Sequence, residues 1–188
     1  MLIGCAAVLI AAAVSPAEPV PLAEVPPLIA SRLASTNEVR GVFAMEKFVP
    51  DATGGRTFRS RGEYRIRPGR DFTWRTLEPF ETTFTATPTN YVYANEDETV
   101  TRRLRDLPGV PAFADVAKGD YSAFFRCFDA LYREEPDGRF FLKARPKVRD
   151  LARRLARIDV EGVSTNWTLR AEFPGRTAIT VRFEDRDF

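Results

Sequence analysis

Residues 57–80 read TFRSRGEYRIRPGRDFTWRTLEPF, and this stretch decides the fold. In its first half Phe58, Tyr64 and Ile66 fall at even positions, whereas the odd positions carry only Arg or Glu from position 59 onward. Successive side chains of a strand point to opposite faces. The alternation therefore predicts a strand over Thr57–Arg67 with one apolar and one charged face, which is typical of an antiparallel sheet that meets water on one side.

The second half of the stretch predicts the hairpin partner of that strand. Pro68-Gly69 is a turn signal, and the following strand, Asp71–Leu77, places Phe72 and Trp74 on one face because they are two residues apart. The same period-two pattern recurs between turn residues and predicts further strands over Gly41–Val49, Thr82–Ala86, Asn90–Ala94, Phe128–Arg133, Arg139–Arg145, Leu155–Glu161, Trp167–Phe173 and Ala178–Phe183. This spacing predicts a meandering antiparallel sheet or barrel.

Few helices are predicted. An apolar stripe predicts one over Leu28–Asn37, after an irregular, Pro-rich stretch at Glu18–Pro27. Asp120 is the predicted N-cap of a second helix, which runs through Cys127. A short helical stretch is predicted at Val148–Leu151. The chain is therefore expected to be mainly β.

The residue inventory excludes most catalytic chemistry. The chain has no histidine, which removes Ser-His-Asp and Cys-His catalysis and histidine-ligated metals. Its two cysteines, Cys5 and Cys127, cannot supply a cysteine cluster for zinc or iron–sulfur. Hydrolysis by carboxylates alone stays open, although close carboxylate pairs are common on surfaces: Glu134 with Glu135, and Asp185 with Asp187. We expect no enzyme activity, no cofactor and no metal.

Charge and aromatic content favour a wide apolar surface over a nucleic-acid interface. Lys plus Arg is 28 and Asp plus Glu is 26, so the net charge of +2 lacks the basic excess of a nucleic-acid binder. The chain has 15 Phe, 5 Tyr and 2 Trp, all at or beyond Phe43. Cys127 lies between Phe125 and Phe128 and is predicted to be a buried, inert thiol. The acidic Asn95–Glu98 segment lacks calcium-loop spacing and predicts a hairpin tip.

The N-terminus predicts a secretory signal peptide over residues 1–17. Leu2–Val14 is an uncharged apolar run of 13 residues, too short to span a bilayer, and small residues precede the bond after Ala17. Cleavage there leaves residues 18–188 as a single domain in the periplasm. Two alternatives stay open: the apolar run remains attached as a helix, or Cys5, which ends a lipobox-like tetrapeptide, is lipidated.

The order of several motifs resembles a known family. Arg67-Pro68-Gly69, then Phe72-Thr73-Trp74, then Pro79-Phe80 are similar to a block of the periplasmic outer-membrane lipoprotein carriers, the LolA-like proteins. The likeness covers nearly all of residues 18–188. It extends to Leu33–Phe48, Gly119-Asp120, Phe141–Pro146, Ile158–Gly162 and Thr180–Phe183. Within the family, the chain is most similar to the branch associated with glycolipid and aryl-polyene export.

The resemblance implies both a fold and a function. The fold is a mainly β (α+β), curved, incompletely closed antiparallel half-barrel with a few short helices covering its open side. The implied function is that of a monomeric periplasmic carrier of acylated lipoprotein or lipid cargo, served by an inner-membrane exporter and an outer-membrane acceptor. Two alternatives share this fold: a lipid-sensing regulatory module, and an outer-membrane-anchored acceptor lipoprotein that requires lipidated Cys5.

The strand pattern and the resemblance together predict a lipid-binding cavity. We expect acyl chains to contact the concave face through Phe58, Tyr64, Ile66, Phe72, Trp74, Phe84 and Tyr93. An ordinary sheet–helix core would use the same residues. The resemblance also assigns Arg67 to a contact with the lid, although strand parity places Arg67 on the face opposite Tyr64 and Ile66.

Overall fold

The computed structural model describes residues 20–21, 38–67, 69–103, 122–135, 137–163 and 165–185. Within these ranges twelve strands form one sheet, and two short helices accompany it. The predicted signal peptide, the Cys5 site, the Leu28–Asn37 helix and the Asp120 cap lie outside the described residues. No helix in the described ranges is long and apolar enough to cross a membrane.

The strands largely match the predicted ones. They are β1 (Val20–Pro21), β2 (Val39–Val49), β3 (Arg56–Arg67), β4 (Asp71–Glu78), β5 (Thr82–Ala86), β6 (Asn90–Ala94), β7 (Thr99–Arg103), β8 (Phe128–Glu134), β9 (Phe140–Pro146), β10 (Arg157–Gly162), β11 (Asn166–Glu172) and β12 (Ala178–Asp185). The helices are α1 (Ser122–Cys127) and α2 (Arg149–Ala152).

Three elements differ from the predicted set. β7 follows the predicted hairpin tip, and β1 lies in the stretch predicted to be irregular. β10 begins at Arg157 rather than at Leu155. Leu155 is excluded from the strand because its backbone N–H donates to the Leu151 carbonyl (2.9 Å) and so extends the turn of α2.

The sheet consists of two antiparallel meanders. One comprises β2–β7 and the other β8–β12, and they join where β12 pairs with β2. β1 pairs with β8 at one end of the sheet, and β7 lies at the other end. The predicted antiparallel, mainly β, unclosed architecture is confirmed for the described residues. The half-barrel curvature and the helical cover of an open side stay predictions.

The sheet has an apolar inner face, which we define by the row of directly opposite residues, one from each neighbouring strand, that contains Phe43. In this row Phe43 lies opposite Phe183 of β12 on one side and Gly62 of β3 on the other. Phe183 in turn lies opposite Trp167 of β11. Because side chains alternate along each strand, residues at two-residue intervals from these four share the inner face, and the intervening residues form the outer face.

The outer face is charged and solvated, as predicted for the Arg-rich side of the Thr57–Arg67 strand. Arg59 Nε lies 3.1 Å from Glu46 Oε1, and Arg75 Nη2 lies 2.6 Å from Glu81 Oε1. The side chains in both pairs are substantially exposed. Exposed ion pairs stabilise proteins by no more than about 1 kcal/mol each. The free energy that holds the sheet together therefore comes mainly from the inner face.

Three inner-face glycines lie directly opposite aromatic residues of a neighbouring strand. The register pairs Gly41 with Tyr64, Gly62 with Phe43, and Gly162 with Trp167. A Cβ at Gly62 would collide with the backbone oxygen of Arg75 and lie 2.8 Å from Phe43 Cζ. At Gly41 and Gly62 the missing side chain leaves room for the ring to lie over the glycine backbone, a known way of stabilising glycine within a strand.

The tightest part of the core lies under the second meander. The most enclosed large side chains are Leu142, Leu155, Ile158, Val160, Leu169 and Val181. Helix α1 adds Phe124, whose ring stacks on Phe128 with centroids 4.7 Å apart. Cys127, predicted to be buried, is only partly buried against this core, because it stands at the junction where α1 passes into β8.

Gly62→Ala tests whether the glycine is required by the ring above it. We expect the free energy of unfolding to fall by about 1–3 kcal/mol, the usual cost of overpacking a tight site. Ser60→Ala is the matched control, because Ser60 lies two residues away on the same face and its buried hydroxyl has no hydrogen-bond partner among the described residues. Urea denaturation measures both variants. Equal stability of Gly62→Ala and wild type would contradict the close packing described.

Candidate functional site

The inner face of β3–β7 brings most of the predicted site residues together in two adjacent rows. One row contains Tyr64, Trp74, Phe84, Tyr93 and Val100, and the next contains Ile66, Phe72, Ala86 and Tyr91. Six of the seven predicted lipid-contacting residues lie in these rows. Directly opposite side chains of antiparallel strands have Cβ atoms about 4.5–5.5 Å apart, so each row is a continuous apolar surface.

Burial divides these residues into a floor and a patch. Tyr64 is 3% exposed and Trp74 is 8% exposed, and these two form the floor. Trp74 is fixed by Phe43, which stacks on it with ring centroids 3.5 Å apart and planes at 24°. The half-buried side chains form what we call the aromatic patch: Ile66, Phe72, Phe84, Tyr91 and Tyr93. The floor is packed core, whereas the patch retains accessible apolar surface.

Tyr64 connects the floor to the second meander. Its hydroxyl donates a hydrogen bond to Asp185 Oδ1 of β12, across Gly41 of the intervening β2. A Cβ at Gly41 would lie 2.5 Å from the Tyr64 hydroxyl, so the glycine makes this contact feasible. Burial, the hydrogen bond and the negative charges of Asp185 and Glu184 raise the pKa of Tyr64 above its usual value. The phenol therefore stays protonated and keeps donating.

Phe58 lies apart from the other predicted site residues. Its side chain is 56% exposed and stands opposite Lys47 of β2. The pairing of β3 with β4 ends at Arg61 opposite Glu78, with a register shift between Arg61 and Gly62. Phe58 is beyond this point, so no β4 side chain covers it. The alternation of side chains predicted the face on which Phe58 lies, but it could not predict that β4 ends before it reaches Phe58.

Arg67 lies on the outer face, as its parity indicates. Its guanidinium forms a bidentate pair with the Asp71 carboxylate, with Nε 3.0 Å from Oδ1. The hydrogen bond and charge of Asp71 raise the pKa of Arg67. The side chain thus ties the start of β4 to the end of β3. Its contact with a lid stays a prediction.

Three members of the two rows were not predicted as site residues: Ala86, Tyr91 and Val100. Tyr91 shares a face with the predicted Tyr93, because the two are two residues apart on one strand. The two-residue period of a strand, applied to every residue of Asn90–Ala94, would have included both tyrosines among the predicted site residues. Val100 lies opposite Tyr93 on β7. It could have been found by continuing the Asn90–Ala94 strand through its hairpin tip.

A separate cavity opens on the outer face. It has a volume of about 950 Å³ and is lined mainly by outer-face residues of β2–β4 and β9–β12. Val42 and Phe141 contribute apolar surface, but the lining also contains the ion-paired Arg61 and Glu78 together with Glu161. An acyl chain in this cavity would strip water from charged groups, which is costly. The aromatic patch is the better site for an apolar ligand.

Two of the carboxylates noted in the sequence, Glu135 and Asp185, make structural contacts. Glu135 Oε1 lies 3.2 Å from Arg133 Nη2, and Asp185 accepts the Tyr64 hydrogen bond. Asp187 lies outside the described residues. No group of three or more His, Cys, Asp or Glu side chains in the described ranges could hold a metal ion.

Comparisons with known proteins give only distant likenesses. No protein-family model and no curated protein matches the chain. Among solved structures, a LolA superfamily protein from Nitrosomonas europaea is 11% identical, with 81% of this chain and 88% of that chain covered and a TM-score of 0.40. A DUF1329 family protein from Desulfovibrio piger is 12% identical, with 82% and 87% covered and a TM-score of 0.43.

A third solved structure, a domain described as an outer membrane lipoprotein-sorting protein from Vibrio parahaemolyticus, is 10% identical. The alignment covers 84% of this chain and 87% of that chain, with a TM-score of 0.37. Two of the three descriptions thus name LolA or outer membrane lipoprotein sorting. At such low identities and TM-scores, these likenesses assign neither a family nor a function to the chain.

The hydrogen bond of Tyr64 predicts a pH dependence of stability. Because the pKa of Tyr64 is raised on folding above the ordinary tyrosine value near 10, its stabilising effect is complete below about pH 10 and is lost as the pH rises further. Tyr64→Phe should lower the free energy of unfolding at neutral pH by about 1–2 kcal/mol. It should also flatten the alkaline decline. Urea denaturation from neutral to strongly alkaline pH measures both effects, and an unchanged alkaline slope would contradict the assignment.

Proposed function

We propose that the protein is a periplasmic carrier that shields the acyl chains of a lipid or lipoprotein on its aromatic patch. The observation that supports this most directly is the accessible apolar surface that the half-buried side chains of the patch form together on the inner face of β3–β6. Contiguous exposed apolar surface on a protein marks a site for an apolar ligand, another protein or a membrane. The patch combines several rings on one surface, which suits a long apolar chain.

The energetics explain why such a cargo needs a carrier. Each CH₂ group buried from water is worth about 0.8 kcal/mol, so a 16-carbon chain costs about 13 kcal/mol to leave exposed. A patch that covers the chain lowers this cost during passage through water. The protein must also release the chain, and a partly open surface permits release more readily than a closed cavity.

The chemistry of the patch suits binding rather than catalysis. Its members are aromatic or aliphatic, and Tyr91 and Tyr93 supply its only polar atoms. Aromatic rings present large, rigid apolar surfaces with few rotatable bonds. They can therefore contact chains of different lengths without specific hydrogen bonds. We accordingly propose a binding protein and not an enzyme.

The proposed location and partners follow from the N-terminus and the cargo. The apolar run Leu2–Val14 and the small residues before the bond after Ala17 support export through a cleaved signal peptide. A carrier between two membranes requires a donor and a recipient. We propose an exporter in the inner membrane and an acceptor at the outer membrane, with glycolipid as one class of cargo.

Phe84→Glu tests the proposal, with Thr85→Glu as its control. Phe84 lies in the patch between Trp74 and Tyr93, whereas Thr85 is the next residue of β5 and faces outward beside Thr73. A carboxylate within the patch should weaken the binding of a fluorescent fatty acid about tenfold or more, because binding would remove water from a charge. Thr85→Glu should bind as wild type does.

Thermal unfolding and circular dichroism show whether the variants still fold. Phe84→Glu should unfold cooperatively, because a half-buried side chain at this position can extend its carboxylate into water. Leu169→Glu should not fold, because Leu169 is completely enclosed. Unchanged binding by folded Phe84→Glu would contradict the proposal, and so would an equal loss of binding by Thr85→Glu.

A further inference from the structure

Strand β7 forms one end of the sheet, and its sequence has an unusual distribution of charge. Residues 96–103 read EDETVTRR, so three acidic residues precede the strand and two Arg residues end it. Within the described residues β7 pairs only with β6. Its side chains are exposed, apart from the half-buried Val100. Unpaired strand edges are templates for pairing with another chain.

The hydrogen bonds of the β6–β7 hairpin show which backbone groups point outward from this edge. The Asn95 N–H donates to the Glu98 carbonyl at 3.0 Å, so this pair is a hydrogen-bonded one. Such pairs alternate along an antiparallel ladder. Val100 and Arg102 therefore bond towards β6, and the N–H and C=O groups of Thr99, Thr101 and Arg103 point away from the sheet.

We propose that β7 binds the β7 strand of a second copy of this chain, antiparallel, with Val100 opposite Val100 across a two-fold axis. In this register Thr99 of one copy lies opposite Thr101 of the other, and these are the residues with outward backbone groups. Two such pairs form, and each exchanges two hydrogen bonds. The assembly departs from the monomer implied by the resemblance.

Charge complementarity selects this register. With Val100 on the axis, Glu98 faces Arg102 of the other copy and Asp97 faces Arg103, and the symmetry doubles both contacts. A shift that centres Thr101 instead places Arg102 opposite Val100, and a shift that centres Thr99 places Glu98 opposite Val100. Among residues 96–103, the first shift brings no acidic residue opposite an arginine, and the second pairs only Glu96 with Arg102. The Val100-centred register pairs both Asp97 and Glu98 with arginines and so forms the most ion pairs. If the two-fold axis instead passes between two residues, the outward backbone groups of one copy lie opposite residues of the other copy whose N–H and C=O groups point towards β6. No regular ladder of hydrogen bonds then forms.

The apolar surface is also continuous across the proposed contact. Val100 lies in the inner-face row of Trp74, Phe84 and Tyr93. Glu98 and Arg102 share its face at two-residue intervals, whereas Thr99, Thr101 and Arg103 share the other face. The proposed contact thus has an apolar centre flanked by ion pairs on one face and a threonine ladder on the other. Cross-strand pairs of these kinds stabilise sheets.

The charges at the edge are available for such a contact. Asp97, Glu98, Arg102 and Arg103 are exposed, and none of them forms an ion pair with another described residue. Outer-face arginines such as Arg59 and Arg75 do have acidic partners. One strand from each copy makes an interface smaller than the roughly 1,600 Å² of a standard complex. We therefore expect a reversible dimer that is weakened by salt.

Charge reversal at the acidic end and at the basic end of β7 tests the proposal. Asp97→Arg/Glu98→Arg and Arg102→Glu/Arg103→Glu each place like charges opposite one another, so each variant should sediment as a monomer at concentrations where wild type dimerises. An equimolar mixture of the two variants restores opposite charges and should dimerise. The control, Arg153→Glu/Arg154→Glu, reverses two exposed arginines after α2 and should dimerise as wild type does.

A cysteine pair tests the register. In a Cys5→Ala/Cys127→Ala background, Val100→Cys should form disulfide-linked dimers on mild oxidation, because Cα atoms of a directly opposite, non-hydrogen-bonded pair are about 4.5 Å apart. Thr101→Cys should not, because its symmetry mate lies about 8–9 Å away. The proposal is overturned by a monomeric wild type at all concentrations, by a mixture that stays monomeric, or by cross-linking of Thr101→Cys instead of Val100→Cys.

Discussion

The pairing of β12 with β2 is the contact on which the rest of the structure depends. Each meander could form from neighbouring hairpins, but only this pairing makes them one sheet. Aromatic rings bridge the two meanders around it: Phe183 of β12 makes T-shaped contacts with Tyr64 of β3 and Trp74 of β4, with centroids 5.3 Å and 5.9 Å apart. Phe183 also stacks on Trp167 of β11, with centroids 3.7 Å apart. Phe43 and Trp74 continue the cluster into β4. Removing Phe183 would break its ring contacts with Tyr64, Trp74 and Trp167 together.

This aromatic cluster separates two parts of the inner face that differ in how far their side chains are buried. Beyond it, β9–β12 carry aliphatic side chains such as Leu142 and Leu169 that are sealed from water. On the other side, β4–β6 carry rings such as Phe72, Phe84 and Tyr93 that stay half-buried. The first part is packed core, whereas the second retains accessible apolar surface. The same residue pattern thus produces both a sealed core and an accessible apolar surface, and position in the sheet decides which.

The strands and their faces could be predicted from sequence because alternation is a local property. The Thr57–Arg67 pattern assigned Tyr64 and Ile66 to the apolar face correctly. The exposure of Phe58 could not be predicted, because it depends on where β4 stops pairing with β3. Nor does any local pattern reveal that Gly41 lies under Tyr64. Such pairings depend on register between strands, which forms only when distant segments meet.

Amide hydrogen exchange with and without a saturating long-chain fatty acid tests the division of the inner face most directly. Without ligand, β9–β11 should exchange slowly and β5–β6 faster, because exchange follows local stability. Bound fatty acid should slow exchange in β4–β6 and leave β9–β11 unchanged. Protection that appears in β9–β11 instead, or around the outer-face cavity near Arg61 and Phe141, would contradict the account.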